Sequence, residues 1–131
     1  MERLYQMCEK LKLSSLGKTW IFDLDGTLVK HNGYKVDGQD TLLEGVAEFF
    51  DQLTEKDMVV IITARSSKYK DQTLEFLEQH QIYYDHIIFD APHGERILFN
   101  DLKPSGLKTA YSINQNRDCF NPLKLEVDES L

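Results

Sequence analysis

Residues 20–29 read Trp20-Ile21-Phe22-Asp23-Leu24-Asp25-Gly26-Thr27-Leu28-Val29 (WIFDLDGTLV), an apolar run that breaks into two aspartates one residue apart and then into a glycine. A run of bulky and aromatic residues bounded by Lys18 and Asp23 fits a short strand buried in a parallel sheet, and open α/β folds bind ligands at the carboxyl ends of such strands. Alternation along a strand sends Asp23 and Asp25 to the same side. Two carboxylates so placed call for a cation. A hard divalent ion such as Mg²⁺, held through one or two carboxylates plus water and a substrate phosphate, matches the arrangement. The competing reading is a solvated turn, in which Asp25-Gly26 is ordinary turn chemistry.

The complete string, hydrophobic strand followed by Asp23-Leu24-Asp25-Gly26-Thr27-Leu28-Val29, closely resembles the first motif of the haloacid dehalogenase (HAD) superfamily of phosphohydrolases. The resemblance implies that Asp23 attacks phosphorus to form an aspartyl-phosphate. It implies too that Asp25 protonates the leaving oxygen and later activates water, and that Mg²⁺ shields the anions. The implied fold is an α/β, three-layer Rossmann-like parallel sheet flanked by helices.

With 131 residues the chain has room for one domain, expected to span 1–131, that buries about two-thirds of its unfolded surface. A net charge of -7 offers no broad attraction to nucleic acid or to an anionic membrane, so phosphate binding has to be local. A small phosphorylated substrate is the expected partner, with no membrane; a nucleic-acid substrate is not advertised by the charge, though not excluded by it. Cys8 and Cys119 are isolated and show no zinc or disulfide spacing. The first residues lack a cleavable leader pattern, and no stretch approaches about 20 apolar residues, so a cytoplasmic location is expected.

Leu4, Met7, Cys8 and Leu11 recur at helical spacing, which predicts an amphipathic helix within an N-terminal segment 1–17. The segment 30–40 (KHNGYKVDGQD) reads as turns or a small hairpin, with His31 and Tyr34 able to touch substrate. Apolar residues at three- and four-residue intervals from Leu42 to Leu53 predict a helix over 41–54, with Asp40 or Thr41 as N-cap. Met58 to Ile62 (MVVII) is a second buried strand. A further helix is expected over 69–80, capped by Ser66 or Ser67, and a third strand over 85–89. Ile97 to Phe99 is read as a fourth strand, 103–116 as a turn followed by a weak helix or strand, and 117–131 as a loosely held tail.

In the resembled family a Thr or Ser closes the second core strand and holds the transferring phosphoryl group, a place matched by Thr63. An acid ends the fourth strand, matched by Asp101 as third metal ligand beside Asp23 and Asp25, although Asn100 stands where a second acid is common. The family also supplies a cation that neutralises the phosphate. Arg96, five extended residues or about 16 Å before Asp101, falls toward the wrong end of such a strand. Arg65 and Lys103 are therefore the expected phosphate-binding cations, with Arg65 suited to bidentate contact.

Neither gap in which the family inserts a cap is long enough to hold one, since about fifteen residues separate Gly26 from the first predicted helix. The site should be open, or closed by another subunit of an oligomer. A small capless core with these features is similar to phosphatases of capsule and surface-polysaccharide biosynthesis and, more distantly, to polynucleotide 3′-phosphatase domains. A Mg²⁺-dependent phosphomonoesterase acting on a sugar phosphate is the leading expectation. The alternatives are a polynucleotide 3′-phosphatase-like enzyme and a catalytically weak module that binds a phosphorylated ligand or partner.

Overall fold

The computed structural model describes residues 10–121 and 123–131. Three parallel strands form the central sheet: β2 (Thr19–Phe22), β3 (Met58–Ile62) and β4 (His86–Ile88), in the order β2-β3-β4. The register pairs Trp20 with Val59 and Phe22 with Ile61, which points all four side chains to one face. That face holds the core. Val59 and Ile61 meet Val46 and Phe49 of α2 (Val46–Phe50), Leu77 of α3 (Lys70–Gln79), and Leu24, Leu28 and Val29 from the loop after β2. Phe49 receives the edges of Trp20 and Phe22 at centroid distances of 5.6 and 6.2 Å. The opposite face is thinner, and Ile21 and Ile88 stay half exposed on it.

Both expected central strands form within a residue of their predicted bounds. So does α3, which is entered through a 3₁₀ turn, Ser67–Tyr69, whose cap Ser66 accepts the Lys68 N–H. The segment 30–40 is not a hairpin but contains one helical turn, α1 (Gly33–Val36). The helix expected over 41–54 is shorter than its periodicity, because Gly45, at φ 93°, starts it in place of Asp40 or Thr41. Asp40 is freed from capping and turns inward.

Two terminal expectations are corrected. Lys10–Leu13 is a strand, β1, while the rest of the predicted N-terminal helix lies outside the described residues. The predicted loose tail contains β5 (Lys124–Val127), which pairs in parallel with β1 from Lys10↔Lys124 to Leu13↔Val127. Its approach is also fastened, since Phe120 packs edge-on against Phe49 at 5.5 Å and Leu123 and Leu125 lie against the core.

The fourth strand does not form. Residues 97–99 carry no regular structure, with Ile97 78 % and Phe99 91 % exposed, and 103–116 form neither helix nor strand. None of the described helices is long and apolar enough to cross a membrane.

Candidate active site

The loop after β2 is shaped by its own backbone. Leu24 is buried and its carbonyl accepts N–H bonds from Thr27, Leu28 and Val29 at 2.9–3.2 Å, while Gly26 donates to the Val29 carbonyl at 2.7 Å. Gly26 sits at φ 81°, in the left-handed region that a side chain would strain. With Leu24 and Leu28 anchored in the core, Asp23 is turned outward, and Asp25, 17 % exposed, is turned toward a buried partner. The Thr27 hydroxyl donates to Asp23 Oδ2 at 3.1 Å, so the hydroxyl one turn on orients the first carboxylate.

The other carboxylate is gripped by Arg65. The guanidinium donates from Nε to Asp25 Oδ2 (3.3 Å) and from Nη2 to Asp25 Oδ1 (2.8 Å). Its remaining N–H groups meet Asp40 Oδ1 and Oδ2, both at 2.8 Å, and the Thr73 hydroxyl at 2.9 Å. Five donors thus find five acceptors, the full capacity of an arginine. The side chain is 0 % exposed, and its carbon Cζ lies 3.9 Å from the centroid of the Tyr34 ring. Burial alone would lower the arginine's pKa; the hydrogen bonds and charges of Asp40 and Asp25 outweigh it and raise the value above the usual one. Arg65 therefore stays charged and has no N–H left for a substrate phosphate, unlike the exposed phosphate-binding role expected of it.

Arg96 takes the outward position. Its Nη1 donates to Asp23 Oδ1 at 2.9 Å, and the two side chains are 39 and 38 % exposed. The expectation that Arg96 lies at the wrong end of a strand fails with the strand itself. Once 97–99 is not extended along the sheet, the chain after β4 is free to turn back over the β2 loop. Its start is tied down, because the Asp90 N–H donates to the Arg65 carbonyl, the Ala91 N–H donates to the Thr63 carbonyl, and Asp90 Oδ1 accepts the Ser67 N–H, all at 3.0 Å.

Thr63 stands where expected, just past β3 and buried, with its hydroxyl oxygen accepting the Arg65 N–H at 3.0 Å. Asp101 and Lys103 are not brought in. Both are exposed, and no hydrogen bond or ion pair among the described residues joins them to Asp23 or Asp25. The Asp101 segment is held instead through Thr109, whose hydroxyl donates to the Asp101 carbonyl at 2.7 Å and accepts from the Asn100 amide at 2.9 Å.

The described residues contain no group of three or more His, Cys, Asp or Glu able to hold a metal, so the three-aspartate set expected for Mg²⁺ is not assembled. Asp23 and Asp25 alone still suit that ion. Each carboxylate offers about four lone-pair positions, two of which are taken on each by the contacts above, and Mg²⁺ binds through as few as one or two carboxylates with water and phosphate completing its shell.

Residues 18–102 match the NLI interacting factor-like phosphatase family, 85 of the 131 residues of the chain. The chain belongs to that family. Its core is the HAD-like α/β arrangement of parallel strands flanked by helices. The resemblance to capsule and surface-polysaccharide enzymes gains no support from this match. Among solved structures, this chain is similar to a chain of the structure of the Pnkp1/Rnl/Hen1 complex, at 31% identity over 63% of its own length and with a TM-score of 0.50. It is similar as well to a chain of the structure of the Pnkp1/Rnl/Hen1 RNA repair complex, at 29% identity over 69%, again with a TM-score of 0.50. It spans 31% of the length of either of those chains. No curated protein matches it.

Three residues near the site escape a sequence reading. Asp40 looks like a helix cap, and Arg96 falls just before the expected fourth strand, toward the wrong end of the sheet. Arg117 belongs to a segment with no motif, yet its stem covers the loop, for a Cβ on Gly26 would lie 3.1 Å from Arg117 Cγ. The segment is pinned there by Asp118, whose N–H donates to the Gly26 carbonyl at 2.9 Å and whose carboxylate accepts the His31 N–H at 2.7 Å.

Proposed function

We propose that this phosphatase hydrolyses phosphate monoesters through a covalent intermediate on Asp23. A carboxylate oxygen of Asp23 attacks phosphorus, the ester P–O bond breaks, and the departing oxygen takes its proton from Asp25. Water then attacks the aspartyl-phosphate, Asp25 takes the water's proton, and the bond between phosphorus and Asp23 breaks to release inorganic phosphate. Arg96 is the cation that meets the phosphate oxygens, a guanidinium already against the nucleophile. Thr63 steadies the end of β3 next to the transferring group. Mg²⁺, held by Asp23 and Asp25, would supply charge neutralisation on the phosphoryl oxygens.

The observation that carries this reading is the asymmetry of the two aspartates. Asp23 is 38 % exposed and accessible to a substrate, whereas Asp25 is fixed behind it by Arg65. The test is release of phosphate from p-nitrophenyl phosphate with Mg²⁺ by the full chain and by its Asp23→Asn variant. We expect at least about a 10⁴-fold loss with the fold retained. Undiminished turnover by the variant would remove the covalent mechanism.

The terminal phosphate of a polynucleotide is the substrate class favoured over a sugar phosphate. The likeness to chains of an RNA repair complex supports it, as does the open position of Asp23. This revises the expectation drawn from charge. A net charge of -7 disfavours a long nucleic-acid groove, but a strand end needs only a few cations, and Arg96 lies against Asp23 while the Arg117 stem lies against Gly26. A 3′-phosphorylated oligoribonucleotide should give a higher kcat/KM than a hexose phosphate; the reverse ranking would return the sugar phosphate.

A further inference from the structure

Asp40 is a buried carboxylate with no place in the mechanism above. Its side chain is 2 % exposed and spends both oxygens on Arg65, at 2.8 Å each. An ion pair taken this far out of water loses much of its attraction to desolvation, so simple stabilisation is a poor reason for it. Its geometry points elsewhere. Asp25 and Asp40 are the two ends of one guanidinium bridge, with the Tyr34 ring over one flat face and the Thr73 hydroxyl on the remaining N–H. Thr73 in turn donates its hydroxyl to the Tyr69 carbonyl at 2.7 Å, and the Tyr69 ring stands edge-on to Tyr34 at 4.8 Å. Every contact that could let Arg65 rotate is filled.

We infer that Asp40 is a positioning residue for the general acid: through Arg65 it holds the Asp25 carboxylate at the angle from which it delivers a proton to the leaving oxygen. The inference rests on the role proposed above for Asp25. A planar fork transmits orientation, since shifting the carboxylate on one edge swings the pair of N–H bonds on the other. If Asp40 is altered, Arg65 can keep its charge and its contact with Asp25 while losing its fixed plane. Proton delivery then suffers and attack by Asp23 does not.

Leaving-group chemistry reads this difference. The p-nitrophenolate ion departs without a proton, whereas the alkoxide of glycerol 2-phosphate needs one, and kcat/KM reports formation of the aspartyl-phosphate without the later hydrolysis step. For the full chain with Mg²⁺, Asp40→Asn should lower kcat/KM on glycerol 2-phosphate by about 10²-fold, and on p-nitrophenyl phosphate by no more than about threefold. Asp40→Glu, which keeps the charge but lengthens the arm, should show the same split and covers the case in which the asparagine variant fails to fold. Asp25→Asn is the reference and should show the split at least as strongly. Equal losses on both esters with a lowered Tm, or no loss on either, overturn the inference while Asp25→Asn retains its split. Absence of the split in Asp25→Asn itself overturns the acid role of Asp25 and the inference with it.

Discussion

Two stretches of this chain have the same written form and opposite fates. Trp20-Ile21-Phe22-Asp23 and Ile97-Leu98-Phe99-Asn100-Asp101 are each a short apolar run ending in an acid. The first is a strand against β3, and its loop is closed by three N–H bonds to the Leu24 carbonyl with Leu24, Leu28 and Val29 buried beneath. Among the described residues the second is tied through Thr109 and lies open, and Leu102, directly after Asp101, is 76 % exposed where Leu24, directly after Asp23, is buried. An apolar run becomes a strand when a neighbouring edge receives its backbone and its following residues anchor the turn. The acid at its end acquires a function only if that happens.

The sharpest way to break the comparison is at Arg65, which holds Asp25 in the loop of the ordered stretch. Arg65→Ala leaves Asp25 and Asp40 facing one another without a cation, and we expect about 3–5 kcal/mol of lost stability by chemical denaturation. A loss under about 1 kcal/mol would mean that the bridge is not formed in solution. The next effect separates two cations that the sequence ranks the other way. Arg96→Ala should lower turnover about 10²-fold at unchanged Tm, and Lys103→Ala should leave it within about twofold. If Lys103→Ala is the damaging change, the 97–103 segment does reach the site and the contrast between the two stretches disappears.

A smaller effect tests the entry to β2. Asp57 accepts the backbone N–H groups of Lys18 (2.8 Å) and Thr54 (3.0 Å), fixing the start of β2 beside β3. Burial raises its pKa, but these hydrogen bonds prevail and hold it below the ordinary 3.8. A carboxyl whose folded pKa is depressed stabilises the fold above its unfolded value and loses that contribution as pH falls through the folded one. Asp57→Asn should therefore cost about 1 kcal/mol at neutral pH, with the gap from the wild type closing below pH 3.8 in thermal melts. A gap that does not depend on pH would assign the loss to packing. The smallest change is expected in the exposed stretch: Phe99→Ala should alter stability by no more than about 0.5 kcal/mol, and a larger loss would show Phe99 to be covered in solution.

The sequence by itself determined the strand β2 with its two aspartates, the strand β3 with Thr63 at its end, the helix α3 with a serine ahead of it and the strand β4. Each of these depends on neighbours within a few residues: β-branched runs, three- and four-residue spacing, a glycine at positive φ, a serine before a turn. The tertiary structure decided the partners of the charges. Arg65 meets Asp40 and Asp25 across 25 and 40 residues, and Arg96 meets Asp23 across 73. It decided as well that the C-terminal segment is a strand beside β1 and a clasp over Gly26, not a tail. Burial and ion pairing are set by what packs on the other side, and an aspartate that reads as a helix cap becomes a buried counter-ion once Gly45 starts the helix and the Arg65 guanidinium lies within 2.8 Å.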